Sequence, residues 1–208
     1  MSVLPEMKST LDPIAKQTVV WEERMLEFIT LALAQIGVSN PIPPVEEARR
    51  EIINADAKLF WFAFEGCDAG QVGQFLTEDF SMLHDVAGLV AEDATSFLQR
   101  VEEDCIGRLP NGEREGYKNR RLVVPGSREF TALGDWGVLE RGMHTFHELR
   151  QRPPGAYGPD DLGGPTWVQT GGARYINLWQ WTPSEGSFRL KQSISIDHAD
   201  GERYPPAF

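Results

Sequence analysis

Apolar residues recur three and four apart in the first half of the chain and two apart in much of the second half. Leu26, Ile29, Leu33 and Ile36 keep helical spacing, and Met25, Phe28 and Ala32 widen that face. The spacing predicts a helix over residues 17–37, stopped by Gly37. Pro41, Pro43 and Pro44 then forbid helix, so 39–44 reads as a stiff linker. Val45, Ala48, Ile52, Ala55, Leu59 and Phe62 predict a second helix over 45–65. Its end, Phe60 to Phe64, is apolar all round, which means burial on both sides or a wall shared with a cavity. A short helix over 69–76 is expected behind Asp68. Another is expected over 92–106, with Ala94, Leu98, Val101 and Cys105 on one side.

Alternation takes over elsewhere. Residues 80–84 read as a short strand, 85–88 as its turn and 89–90 as the return. After Pro110-Asn111-Gly112, strands are expected over 119–125, 128–133, 136–149, 167–182 and 187–198. The Pro- and Gly-rich stretch 152–165 reads as a loop. This order predicts an α+β fold, with helices on one face of a curved, mostly antiparallel sheet. Three parts are expected: an arm and helix over 1–44, the α+β domain over 45–198, and a tail over 199–208.

Charge narrows the function classes. The chain has 208 residues and a formal net charge of −11, which argues against nucleic acid or an anionic membrane surface as partner. The apolar stretch Met25 to Ile36 is too short to span a bilayer. A chain of this length needs no covalent staple to hold a core. Cys67 and Cys105 supply neither a disulfide framework nor a cysteine zinc site, and suit a reducing compartment. The N-terminus has no basic region ahead of an apolar core, so a cytoplasmic protein is expected.

No phosphate-binding loop, dinucleotide glycine motif, H-E-x-x-H pair or G-x-S-x-G elbow is present. Asp160-Asp161 sits among Pro and Gly and reads as a solvated turn. The histidines carry more chemistry. Strand alternation turns His144 inward with Val138 and Phe146, and His147 outward. His84 shares a face with Phe80 and Met82. His198 shares one with Phe188, Leu190, Ile194 and Ile196, provided no bulge intervenes. Neutral imidazoles in such places are either satisfied core groups or general acids and bases. A three-histidine metal site has no support from local spacing, so no metal is expected.

Three runs resemble the nuclear transport factor 2 superfamily, in its SnoaL-like, ketosteroid-isomerase-like branch. They are Phe75-Leu-Thr-Glu-Asp-Phe-Ser-Met-Leu-His-Asp-Val-Ala-Gly88, Leu133-Gly-Asp-Trp-Gly-Val-Leu-Glu-Arg-Gly-Met-His-Thr-Phe146, and the final pair of strands, Ala173 to Trp181 and Gly186 to His198. The resemblance implies a cone, in which a curved sheet wraps a long helix and leaves an apolar pocket at the open end. It also implies a homodimer, which the apolar face of residues 25–36 would help to cover. Enzymes of the superfamily are typically cofactor-free isomerases, cyclases, dehydratases, lyases and epoxide hydrolases.

By this resemblance His84 takes the place of the isomerases' general-base aspartate, and Asn177 lies near their oxyanion-stabilising acid. Phe60 stands where those enzymes carry an oxyanion tyrosine, which departs from steroid isomerase chemistry. His84 with His144 has a precedent in the superfamily's dehydratases. The expected catalytic set is therefore His84, His144 and Asn177. Phe60, Tyr175, Trp179, Trp181, His198 and Asp85 are expected to bind substrate. The implied activity is a cofactor-free lyase or isomerase step on a hydrophobic, aromatic small molecule. Loss of water, loss of formaldehyde from lignin-type diaryl compounds and double-bond migration are examples. The rival is a non-catalytic pocket protein of the same fold. An open cavity holding His84, His144 and Asn177 favours the enzyme, and a cone filled by its own Trp and Phe side chains favours the rival.

Overall fold

A computed structural model describes residues 40–201. The helix expected over 17–37, its apolar face, and residues 202–208 of the tail lie outside the described residues. Helix α1 spans Val45–Trp61, α2 Ala69–Gly73 and α3 Ala94–Ile106. Strands follow as β1 Leu76–His84, β2 Gly88–Ala91, β3 Asn119–Val123, β4 Glu129–Ala132, β5 Gly137–Arg152, β6 Gly164–Thr182 and β7 Ser187–Asp200.

The α1 face is set by Ala48, Ile52, Asp56 and Leu59, all buried at helical spacing. The α-helical pitch then gives way to a π-helical turn over Phe62–Gly66, ended by Cys67 in the left-handed region at φ 50°. The apolar end of the expected 45–65 helix is thus wound more loosely. Gly66 allows this, because a Cβ there would sit 2.6 Å from the Trp61 ring. The Asp68 side chain caps α2 by accepting from Gln71 N at 3.0 Å. Helix α2 stops at Gly73, short of the expected 76, and β1 begins four residues earlier than expected. Asp93 and Ser96 form a reciprocal capping box on α3.

The sheet order is β2-β1-β7-β6-β5-β3, with β4 also on β5. Among the described strands, only the β1–β7 pair is parallel. The central ladder is longer than the alternation predicts, and both β5 and β6 run into the stretch expected as a loop. Asp161 organises the remaining turn: it pairs with Arg152 and accepts from Tyr157 N and Gly163 N. It is therefore a loop anchor rather than a free turn acid.

The apolar core lies between α1 and the concave side of β1, β6 and β7. Ile52, Leu59, Val72, Leu76, Phe80, Trp179 and Leu190 are each at most 2% exposed. Phe80 meets Phe97 of α3 edge-on at 5.2 Å.

Cys67 and Cys105 form a disulfide across 38 residues. This corrects the expectation that the two cysteines supply no disulfide framework, and it removes their support for a reducing compartment. No described helix is long and apolar enough to cross a membrane.

Candidate active site: a histidine chain on the concave face

Two interruptions in the β6–β7 ladder build the site. Leu190 faces Trp179 and Gln192 faces Leu178, which leaves Lys191 as an extra residue. Ile196 faces Arg174 and Ala199 faces Gly172, so Asp197 and His198 together oppose Ala173. Asp197 takes the left-handed conformation at φ 58°, as a bulge residue does. Each extra residue flips the pleat. The buried series on β7 is therefore Phe188 and Leu190, then Ser193 and Ser195. His198 follows that series, so it shares a face with the two serines and not with Ile194 and Ile196.

Seven side chains then meet. His198 Nδ1 lies 2.5 Å from Asp85 Oδ1, and its backbone N–H donates to Asp85 Oδ2 at 3.2 Å. The His84 and His198 rings stack at 3.8 Å. Ser195 Oγ stands 3.2 Å from His198 Nε2 and 3.3 Å from His144 Nε2. Arg121 Nε donates to His144 Nδ1 at 2.7 Å, and its Nη1 reaches both carboxylate oxygens of Asp56 at 3.0 and 3.1 Å.

The donors fix the direction of this chain. A guanidinium can only donate, so His144 Nδ1 accepts and its proton sits on Nε2. That proton goes to Ser195 Oγ. The serine hydroxyl then donates to His198 Nε2, and His198 Nδ1–H donates to Asp85. An unbroken series Arg121–His144–Ser195–His198–Asp85 results. His84 is set separately: its Nδ1 accepts from the turn amides of Val86 and Ala87 at 3.2 and 3.3 Å, which leaves the proton on Nε2.

Electrostatics follow from placement. Burial, the Arg121 charge and the neighbouring histidines push His144 well below the usual 6.5. Burial and His198 also lower His84, against the pull of Asp85. Burial acts to raise the Asp85 carboxyl, but the hydrogen bonds from His198 outweigh it and hold it below its ordinary value. Both exposed imidazole edges, with His84 at 25% and His198 at 18% of side-chain surface, open to solvent, whereas His144 is buried.

Asp85–His198–Ser195 has the connectivity of a hydrolytic triad. Ser195 is only 2% exposed and is held between two imidazoles, so its hydroxyl serves as a relay. His84, Asp85 and His198 also offer ligand atoms within 4.8 Å of one another. A cation there would have to displace two amide N–H groups from His84 Nδ1 and the proton of His198 Nδ1, so the donor set suits proton exchange better than metal ligation.

The structure brings together His84, His144, His198 and Asp85 from the expected set. Asn177 goes elsewhere. It is fully buried and its amide donates to Glu140 at 3.4 Å, which directs it away from an oxyanion. Trp179 Nε1 also donates to Glu140, at 2.8 Å, and Trp181 Nε1 donates to Asn40 O at 2.9 Å. Both tryptophans are core rather than substrate contacts. Tyr175 donates to Glu140 at 2.8 Å and stacks on His144 at 5.2 Å. Its phenol is pushed upward by burial and by Glu140. Gly142 makes room for it, since a Cβ there would lie 2.8 Å from the phenol oxygen. Phe60 lies under the Arg121 guanidinium at 3.8 Å, where it walls the chain from the side.

Sequence reasoning missed Arg121, Ser195 and the sealed group of Asp56, Arg128 and Glu140. Arg128 pairs with Asp56 and lies 3.5 Å from Glu140. One signal was present: Asp56 stands four residues beyond Ile52 on the buried stripe of α1, where a lone acid needs a buried partner.

No protein-family model matches the chain. No curated protein matches it either. Solved structures do. An NTF2-like protein with a cystatin-like fold from Novosphingobium aromaticivorans aligns at a TM-score of 0.52 and 14% identity, over 78% of this chain and 90% of that one. ActVI-ORFA from Streptomyces coelicolor aligns at 0.52 and 11% identity, over 72% and 96%. A Catenulispora acidiphila protein in complex with S-DNPA aligns at 0.51 and 11%, over 71% and 92%. At these identities the likeness is one of architecture, and it agrees with the strand order and the concave site: the chain carries the cystatin-like fold of the nuclear transport factor 2-like proteins.

Proposed function

We propose that the protein is a cofactor-independent acid–base catalyst, a lyase or isomerase, acting on a small hydrophobic molecule at the histidine cluster. The observation that carries this is the Asp85–His198 pair, in which a carboxylate backs an imidazole whose side chain is partly open to solvent. The roles differ from those implied by resemblance. A base needs an available lone pair, and that of His84 faces the turn amides, so His198 takes the substrate proton and Asp85 stabilises the imidazolium formed. A substrate proton displaces only the Ser195 hydroxyl hydrogen, from a bond of 3.2 Å. Oγ turns away while remaining hydrogen-bonded to His144. His84 Nε2–H, stacked alongside, donates to the oxygen that gains charge.

A surrogate substrate suffices for the test. Deuterium exchange at the α-carbon of 2-tetralone, an aromatic enolisable ketone, is followed by NMR in heavy water. Wild type should exchange the position roughly 10²–10⁴-fold faster than His198→Ala. Equal rates in the two proteins would overturn the assignment of the base. A non-catalytic pocket is the second reading. It is supported by the wide part of the concave face, where Tyr175, Asn177 and Trp179 fill the space themselves. Binding of the ketone without exchange would select it.

A further inference from the structure

A cavity of 430 Å³ lies between the π-helical turn, the end of α3, the loop before β3, and β5 and β6. Trp61, Phe64, Tyr117 and Trp167 line it, and the Cys67–Cys105 disulfide forms part of the wall. This volume and lining are those of small-ligand sites. Two cations also line it, Arg108 and Lys118. The Arg108 side chain is 9% exposed. Its Nη1 donates to Phe64 O at 2.7 Å and Nη2 pairs with Asp104, but its buried Nε–H has no protein acceptor. A buried, unfilled donor on a cationic group is costly and calls for an anionic acceptor. Among the described residues Lys118 has no ion pair, and Glu65 is the one acid in the lining.

We infer that this cavity binds a planar aromatic carboxylic acid, with its ring among the tryptophans and its carboxylate between Arg108 and Lys118. The aromatic walls set the shape of the ligand: Trp61 is half exposed, and Trp167 is already stacked by the Arg120 guanidinium at 4.1 Å, which leaves flat surfaces for a further ring. The two cations set its charge, despite the acidic balance of the chain. The site is separate from the histidine cluster and does not depend on its chemistry.

Isothermal titration of the full chain with 1-naphthoate, and with 2-naphthol as the neutral ring, tests this. Naphthoate should bind at concentrations below about 1 mM and about tenfold more tightly than the naphthol. Lys118→Glu, a change at an exposed position, should weaken naphthoate by more than about tenfold and leave naphthol unchanged. His198→Ala should leave naphthoate binding intact. The proposal is overturned by absence of binding, by equal affinity for the two rings, by indifference to Lys118→Glu, or by loss of binding in His198→Ala, which would put the anion on the histidines.

Discussion

Two acid–cation clusters sit on the same concave face, and they differ in access to water. In one, Asp56 and Glu140, at 1% and 0% exposure, are held by Arg121 and Arg128. In the other, Asp85 holds His198 at the rim, with a third of its side chain exposed. The chemistry of pairing is alike, but the consequences are not. Sealed charges cannot be relieved by solvent, so they fix geometry: Arg121 is locked by Asp56 and in turn locks the His144 tautomer. Rim charges can exchange protons, so they suit turnover. A site of this kind needs both, the first to hold the second in register.

The largest effect is expected from Asp56→Ala. It strands Arg121 in the interior, leaves Arg128 with Glu140 alone, and should cost about 3–5 kcal/mol in urea denaturation. A loss below about 1 kcal/mol would mean that the inner cluster is wetted, and the contrast between the clusters would collapse. A middle effect concerns pH. His144, His84 and His147 are lowered in the fold, so the unfolded chain binds protons first as pH falls below 6.5. Stability should therefore drop as pH is taken from about 7 to 5, and His144→Gln, at the most strongly lowered of the three, should reduce that slope. A slope unchanged by the substitution would show that His144 is charged in the fold. The smallest effect on stability is expected for Asp85→Asn. It should leave the urea midpoint close to that of wild type while sharply reducing deuterium exchange on the ketone. Unfolding comparable to that of Asp56→Ala would erase the distinction between rim and interior.

The strands were legible because alternation reports which face is buried, and β5 with Val138, His144 and Phe146 inward is such a case. His84 and His144 could be found that way. His198 could not be placed securely, since the two bulges before it each insert one residue and carry no strong local signature. Asp197 is compatible with φ of 58° because aspartate tolerates that region better than most residues, but the same residue type is equally common in turns. Asn177 was misread for another reason. Its fate is decided by Glu140, its partner across β5 and β6, and that register is a long-range fact. The cysteine pair is similar, since it joins the end of the π-helical turn to α3 across 38 residues.

The extra residue at Asp197 lets the last strand change its length by one without turning the histidine over. Excising that residue would leave His198 alone opposite Ala173, on the same face as Ser193 and Ser195, with the ladder from Ser193 to Ile196 in place. A lineage could therefore lose or regain this position while the His198 ring stays on the concave side. Among relatives of this fold, a gap of one position at this point of the last strand should then be compatible with a retained histidine–aspartate pair.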